Sequence, residues 1–306
     1  MTAWHRTITG ILVYLFAASH GFAAEPRNPL VLLSDFGLTE RFVASMKGVA
    51  LSVDPQLQVH DISHQIEPFD IWQASYLLAG TIDYWPPGTV FVSVIDPGVG
   101  TDRRSVAAQT KAGHFVITPD NGSLTLVADT QGIVALRQID ETVNRRPGSA
   151  DSHTFHGRDV YAYTGARLAA GVITFDQVGP LLDPGIVRLN YQSAVKLDDD
   201  TVTGTITHIE LPFGNVVTNI PKSLLDELAL DATDHPVIRV EITQADSTIF
   251  QQTIPYVPSF GFVDKGQPLL YSDSLQTIGL AVNSGNFASQ YHVKAGADWA
   301  IKLRKR

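Results

Sequence analysis

The sequence predicts an α/β domain, its sheet mainly parallel and flanked by helices, followed by a small C-terminal β-barrel domain. Three observations predict it. Over residues 27–188, short apolar and β-branched runs alternate with stretches of helical periodicity, the order that builds a parallel sheet with helices packed on it. Three of those runs end in an aspartate followed by a glycine-bearing turn. Over residues 189–306 helical periodicity largely gives way to short alternating stretches, as in a barrel or sandwich.

Residues 1–24 stand apart. His5 and Arg6 precede an apolar run, residues 8–18, and Gly21-Phe22-Ala23-Ala24 supplies small residues for cleavage. The run is too short to span a bilayer, so a secretory signal peptide is expected, with a periplasmic or secreted mature chain and no membrane partner after its removal; the thin positive stretch ahead of the run leaves an uncleaved anchor as the alternative. The 306 residues contain no cysteine, so an exported chain of this length must rest on core burial, without disulfides or thiolate metal sites. A formal charge of −9 argues against a nucleic-acid partner.

The first strand, Leu30–Ser34, runs into Asp35-Phe36-Gly37. Thr39 can cap a helix to about Val53 that puts Val43, Met46, Ala50 and Val53 on one face, with Asp54-Pro55 as the stop. Residues 57–62 read as strand; Asp70 can cap a second helix to about Tyr84, ended by Pro86-Pro87-Gly88. Residues 89–95 form a buried strand emptying into Asp96-Pro97-Gly98-Val99-Gly100-Thr101-Asp102-Arg103-Arg104. Pro97-Gly98 sets a turn with positive φ available at the glycine, and Gly100 lets a ligand approach the backbone. Asp96 then faces the crevice where open α/β sheets hold ligands, beside two permanently charged arginines. Phe115–Pro119 ends in Asp120-Asn121-Gly122; on neighbouring strands, Asp35, Asp96 and Asp120 would line one crevice.

A strand over residues 134–139 precedes a polar loop, residues 140–152, that delivers Thr154-Phe155-His156-Gly157-Arg158-Asp159. Asp159 is a candidate N-cap for an apolar-periodic helix, residues 160–170, closed by Gly171, and His156 sits just ahead of it; His153 is assigned to solvent. In the second domain, residues 202–209, 237–242, 248–254, 276–282 and 299–303 read as strands and residues 222–230 as a short helix, and Asp198-Asp199-Asp200 reads as a turn. The strand-end aspartates with His60, His64, His153 and His156 include metal-ligand types, but no His-Glu-x-x-His or similar spacing occurs, so no metal site is expected.

The combination Ser34-Asp35-Phe36-Gly37, Asp96-Pro97-Gly98-Val99-Gly100-Thr101-Asp102-Arg103, Pro119-Asp120-Asn121-Gly122, Thr154-Phe155-His156-Gly157-Arg158-Asp159 and Phe213-Gly214-Asn215 resembles the S-adenosyl-L-methionine hydroxide adenosyltransferases, or S-adenosylmethionine hydrolases, relatives of the fluorinase and chlorinase. The resemblance runs from about residue 29 to about residue 301 and implies an α/β domain followed by a β-barrel. It implies a homotrimer whose ligand lies between one subunit's first domain and a neighbour's second, with S-adenosyl-L-methionine as substrate and no cofactor. The implied reaction is metal-independent hydrolysis to adenosine and L-methionine by hydroxide attack at ribose C5′, with Asp96, Arg103 and His156 catalytic. Halogenating relatives lack the histidine at the position of His156 and differ in the Asp-Pro-Gly-Val-Gly segment, which points to water as the nucleophile. Asp35 matches a carboxylate on the ribose hydroxyls, Asn215 the reader of the adenine edge, Phe260 an aromatic stacked on the base, and Phe69 a cover over the sugar. Glu210 and Glu40 stand where relatives carry aspartates, Glu210's near the methionine amino group. Two other readings stay open: a halogenase-like enzyme acting on the same substrate, and an exported, non-catalytic nucleoside-binding or S-adenosyl-L-methionine-binding protein. Whether Asp96 or His156 accepts the proton is also open.

Overall fold

The computed structural model describes residues 27–183, 185–228, 235–245 and 247–306; the expected signal peptide lies outside them. Among the described residues the first sheet has seven strands: β1 (Leu30–Ser34), β2 (Val59–Ser63), β3 (Val90–Val94), β4 (Ser105–Thr110), β5 (Phe115–Pro119), β6 (Ile133–Gln138) and β7 (Leu181–Leu182). Their order is β2-β1-β3-β5-β4-β6-β7. β2, β1, β3 and β5 are parallel; β4 runs antiparallel to β5 and β6, and β7 antiparallel to β6. Every residue of β1 and β3 is buried, as both faces of a helix-covered parallel sheet require. Alternate side chains feed two cores. Leu30 and Leu32 join Met46 and Ala50 of α1 (Phe42–Val53), while Val31 and Leu33 join Ala74, Leu78 and Ile82 of α2 (Ile71–Ile82) and Val127 of α3 (Thr125–Thr130). A single turn, α4 (Glu141–Asn144), follows β6.

Asp70 caps α2 as expected, accepting from the Gln73 amide at 2.8 Å. Thr39 does not cap α1, which starts at Phe42 behind Arg41 with no side-chain cap. Phe42 is fixed instead by Phe36 and Phe155, ring centroids 5.5 and 5.3 Å away, so packing overrides capping preference. Asp159 is not a cap either. The segment opens at Gly157 with a π-helical turn to Ala162, which continues as α5 (Tyr163–Ala169), and the fully buried Asp159 carboxylate takes the Arg158 guanidinium in a fork, both contacts 2.7 Å. Sequence reading misses β4 because Ser105-Val106-Ala107-Ala108-Gln109-Thr110 has little β-branched content; its place between two strands supplies what propensity does not.

The second sheet is antiparallel. Its strands are β8 (Val195–Asp198), β9 (Thr201–Glu210), β10 (Asn215–Pro221), β11 (Val237–Gln244), β12 (Ser247–Pro255), β13 (Pro268–Ser272), β14 (Thr277–Val282) and β15 (Trp299–Lys305). They run β12-β11-β15-β9-β10-β14-β13, with β8 added on β9. A bridge between Tyr256 and Leu270 draws the two edges together, so the sheet curls nearly closed around Val202, Ile206, Val216, Val240, Leu280 and Ile301. Asp198 and Asp200 form the expected turn, the Asp200 amide donating to Asp198 Oδ1 at 2.9 Å. The short helix is Lys222–Asp226; the end of the expected span lies outside the described residues.

α2 joins the two sheets. The Trp72 indole donates to the Thr207 carbonyl at 2.8 Å, and Tyr76 stacks on His208 with centroids 4.5 Å apart and planes 17° from parallel. Burial pulls the His208 pKa down to about 4; burial likewise lowers that of His64. Unfolded histidines protonate near pH 6.5 while these stay neutral in the fold. Stability is therefore expected to be full above pH 6.5 and to fall as the pH drops from 6.5 towards 4. Melting temperature measured across that window should show the fall, and His208→Gln should make it shallower; an unchanged slope in the variant would remove His208 from the effect.

Candidate active site

The site begins where β3 ends. The Val99 amide donates to the Asp96 carbonyl at 3.2 Å, a tight turn that leaves the Asp96 side chain at the carboxyl edge of the sheet. Positive φ falls at Gly100 (+78°), not Gly98, and what comes close there is the chain itself: a Cβ on Gly100 would meet the His153 carbonyl at 2.9 Å. The turn is therefore held against the loop that carries His156.

Arg103 folds back on Asp96. Its Nε lies 2.9 Å from Oδ1 and 3.2 Å from Oδ2, and its Nη2 donates to Oδ2 at 2.6 Å. The same Nη2 is 2.9 Å from His156 Nδ1. Asp96 and Arg103 side chains are only 6% and 11% exposed, so the pair is largely shielded from water. Burial opposes the Arg103 charge, but the Asp96 hydrogen bonds together with electrostatic attraction from Tyr161, Asp96 and Glu141 outweigh it, leaving the pKa raised. Burial, opposed by Glu141 and Asp96 but reinforced by Arg103 and Arg145, pulls the His156 pKa below the ordinary imidazole value. The three residues expected to act together thus meet at one point.

Asp96 and His156 open onto a cavity of about 300 Å³ that is also lined by Asp35, Phe69, Thr154 and Gly157. Phe36, Phe42 and Phe155 form its apolar wall. Gly157 keeps the wall close: a Cβ there would stand 3.1 Å from both Phe36 and Val94. Asp35 Oδ2 accepts from the Phe69 amide at 2.9 Å; burial raises the Asp35 pKa, and the Asp96 charge adds to it against that amide bond. Phe69 sits at the rim, 68% exposed with φ of +71°, a left-handed conformation that is uncommon for a bulky residue and collects at functional sites.

The remaining expected residues fall elsewhere. Asp120 does not join Asp35 and Asp96. It is buried against the Arg104 guanidinium and accepts from the Val187 amide at 2.8 Å, so the two adjacent arginines serve two different carboxylates. Glu40 is exposed on the loop before α1 and outside this cavity's lining. Glu210, Asn215 and Phe260 come together in a second cavity of about 770 Å³ on the barrel domain, where Asn215 Nδ2 donates to Glu210 Oε2 at 2.7 Å and Phe260 is 40% exposed. The two cavities have no lining residue in common.

Family models for the SAM hydroxide adenosyltransferase N-terminal and C-terminal domains match residues 30–179 and 204–300. The chain belongs to the SAM hydroxide adenosyltransferase family. It is 37% identical over 215 residues to an (R)-S-adenosyl-L-methionine hydrolase of Methanocaldococcus jannaschii, covering 69% of this chain and 73% of that one. It is 30% identical to a fluorinase of Nocardia brasiliensis over 90% of this chain and 98% of the fluorinase. Among solved structures, an uncharacterized conserved protein from Thermotoga maritima superposes with a TM-score of 0.81 at 33% identity, covering 90% of this chain and all of that one.

Around the Asp-Arg-His cluster of this family member lies a shell that sequence reading misses. Arg103 Nη1 donates to Ser105 Oγ at 2.9 Å, Ser105 Oγ is 3.2 Å from the Tyr161 hydroxyl, and Tyr161 donates to Asp96 Oδ2 at 3.4 Å. On the far side of the imidazole, Arg145 Nη2 stands 3.1 Å from His156 Nε2 and pairs with Glu141. The only signal in the sequence is the Glu141 to Arg145 spacing of four, an ordinary helical ion pair.

Proposed function

We propose that this chain hydrolyses S-adenosyl-L-methionine to adenosine and L-methionine by attack of hydroxide on ribose C5′. The convergence of Asp96 and His156 at the first cavity, with Arg103 bonded to both from behind, carries the reading. A sulfonium departs as a neutral thioether, so the leaving group needs neither acid nor metal. The nucleophile is the difficulty, because bulk water has a pKa of about 15.7. A guanidinium fixed by a buried carboxylate places positive charge where hydroxide forms, in surroundings that screen it weakly. The family resemblance, which implies that halogenating relatives lack a histidine at the position of His156, favours water over halide. Among the described residues no group of three or more His, Asp or Glu side chains is arranged to hold a metal ion.

The two cavities support a substrate held between subunits. Asp35 and Phe69 face one and Asn215 and Phe260 the other, so a homotrimer that sets one chain's first domain against a neighbour's barrel would bring sugar and base contacts to a single ligand. Export to the periplasm or beyond belongs to the same reading, on the strength of residues 1–24; among the described residues no helix is long and apolar enough to cross a membrane.

Incubation of the purified chain with S-adenosyl-L-methionine, with and without chloride and with and without a chelator, is expected to release adenosine in every case. A 5′-halogenated nucleoside would mean a halogenase, loss of activity on chelation a metal enzyme, and binding without product a non-catalytic protein.

A further inference from the structure

His156 is flanked by donors on both sides. Its Nδ1 faces Arg103 Nη2 at 2.9 Å and its Nε2 faces Arg145 Nη2 at 3.1 Å. A neutral imidazole has one lone pair and one N–H, and an arginine has no acceptor and does not deprotonate. One of the two contacts is therefore a hydrogen bond and the other sets N–H against N–H. An imidazolium would fare worse, with a cation on either side.

The surroundings decide which nitrogen accepts. Arg145 is tied through both terminal nitrogens: Nη2 to Glu141 Oε2, Nη1 to the carbonyls of Ser152 at 3.1 Å and Ser149 at 3.4 Å. Its side chain is 13% exposed, and the second Nη2 proton has the imidazole as its acceptor. Arg103 Nη2 touches both Asp96 Oδ2 and His156 Nδ1, so Nδ1 is on the Asp96 side of the ring, and Asp96 and His156 line the cavity that a water oxygen can enter.

We infer that Arg145, anchored by Glu141, is a positioning residue that holds His156 as the Nδ1–H tautomer and thereby makes the imidazole a donor to the nucleophilic oxygen. The inference rests on the hydrolase reading for its chemistry and resolves where the proton goes. The two nitrogens, Nδ1 and Arg103 Nη2, are 2.9 Å apart, close enough for both to donate to one oxygen. Water gives its proton to Asp96 Oδ1, the less occupied carboxylate oxygen, which among the described residues accepts only from Arg103 Nε while Oδ2 takes Nε, Nη2 and the Tyr161 hydroxyl. The hydroxide, held by two donors, forms the C5′–O bond as the C5′–S bond breaks and its electron pair returns to the thioether sulfur. His156 takes up no proton.

Nitrogen-15 NMR of histidine-labelled protein tests this directly, the His156 signals being assigned by their disappearance in His156→Gln. The unsubstituted chain is expected to show protonated Nδ1 and bare Nε2. Arg145→Met should reverse that pattern and lower kcat by about 10–100-fold with KM nearly unchanged, the scale of losing a group that orients a reacting one. Arg145→Lys should restore part of kcat, and Glu141→Gln should act in the same direction as Arg145→Met but less. Protonated Nε2 in the unsubstituted chain, or an Arg145→Met variant that keeps both tautomer and kcat, overturns the inference; the first needs no variant to fold. Adenosine release by the unsubstituted chain is read separately, so a chain with Nδ1–H but no product would overturn the hydrolase reading and the donor role while leaving the tautomer assignment standing.

Discussion

Replacing Arg103 by alanine is expected to lower kcat by about 10²–10³-fold, the usual cost of removing one preorganised donor from a developing oxyanion, with KM for S-adenosyl-L-methionine little changed. Among the described residues the guanidinium bonds Asp96, Ser105 and the imidazole and lies over the Tyr161 ring, so its loss should fall on the proposed chemical step. It also leaves Asp96, 6% exposed, without its fork partner. Removing one member of a shielded pair costs about 3–5 kcal/mol of stability, so the variant should melt earlier as well. Asp96→Asn/Arg103→Ala removes the orphaned charge and should recover part of the stability but none of the activity. Chromatographic rates and calorimetric melts separate the two effects. Arg103→Ala turning over at the parental rate with substrate bound would take the arginine out of the mechanism.

Mixing two inactive variants is expected to restore activity. In Arg103→Ala the half-site of the first domain is damaged and the barrel half-site is intact; in Asn215→Ala the reverse holds. If each site joins the first domain of one subunit to the barrel of the next, random reassembly of equal amounts gives about a quarter of the sites two intact halves, by the statistics of a closed ring with head-to-tail contacts. Each variant alone should stay near background, and the mixture should approach a quarter of the parental rate after unfolding and joint refolding. A mixture no more active than its parts would mean that each chain builds its site alone. Gel filtration of the mixture gives the oligomeric state in the same experiment.

Much of this arrangement is legible in the chain because the features are local. The runs that become β1, β3 and β5 announce themselves by apolar, β-branched composition, and Asp70 by its position ahead of a periodic stretch. Motif order also names Asp96, Arg103 and His156 before any coordinates. What fails depends on which partners the side chains find in the folded chain. Thr39 and Asp159 look like caps, yet aromatic packing on Phe42 and an adjacent ion pair on Asp159 decide those ends. Asp120 looks like a third carboxylate in the crevice, and Arg104 with the Val187 amide turns it away.

By itself, then, the sequence determined most of the order of strands and helices in the first domain and the change of texture into the second, since both follow from composition and spacing over a few residues, while its motifs, by resemblance to a family, pointed to Asp96, Arg103 and His156. Only the tertiary structure decided that Ser105, Tyr161, Glu141 and Arg145 surround that trio and that the two sets of expected binding residues open into different cavities. The physical reason is sheet pairing. Antiparallel addition of β4 between β5 and β6 carries Ser105 to the carboxyl edge opposite Pro119 and holds the loop after β6 beside the one after β3, and a hydrogen bond between groups tens of residues apart exists only once that register is set.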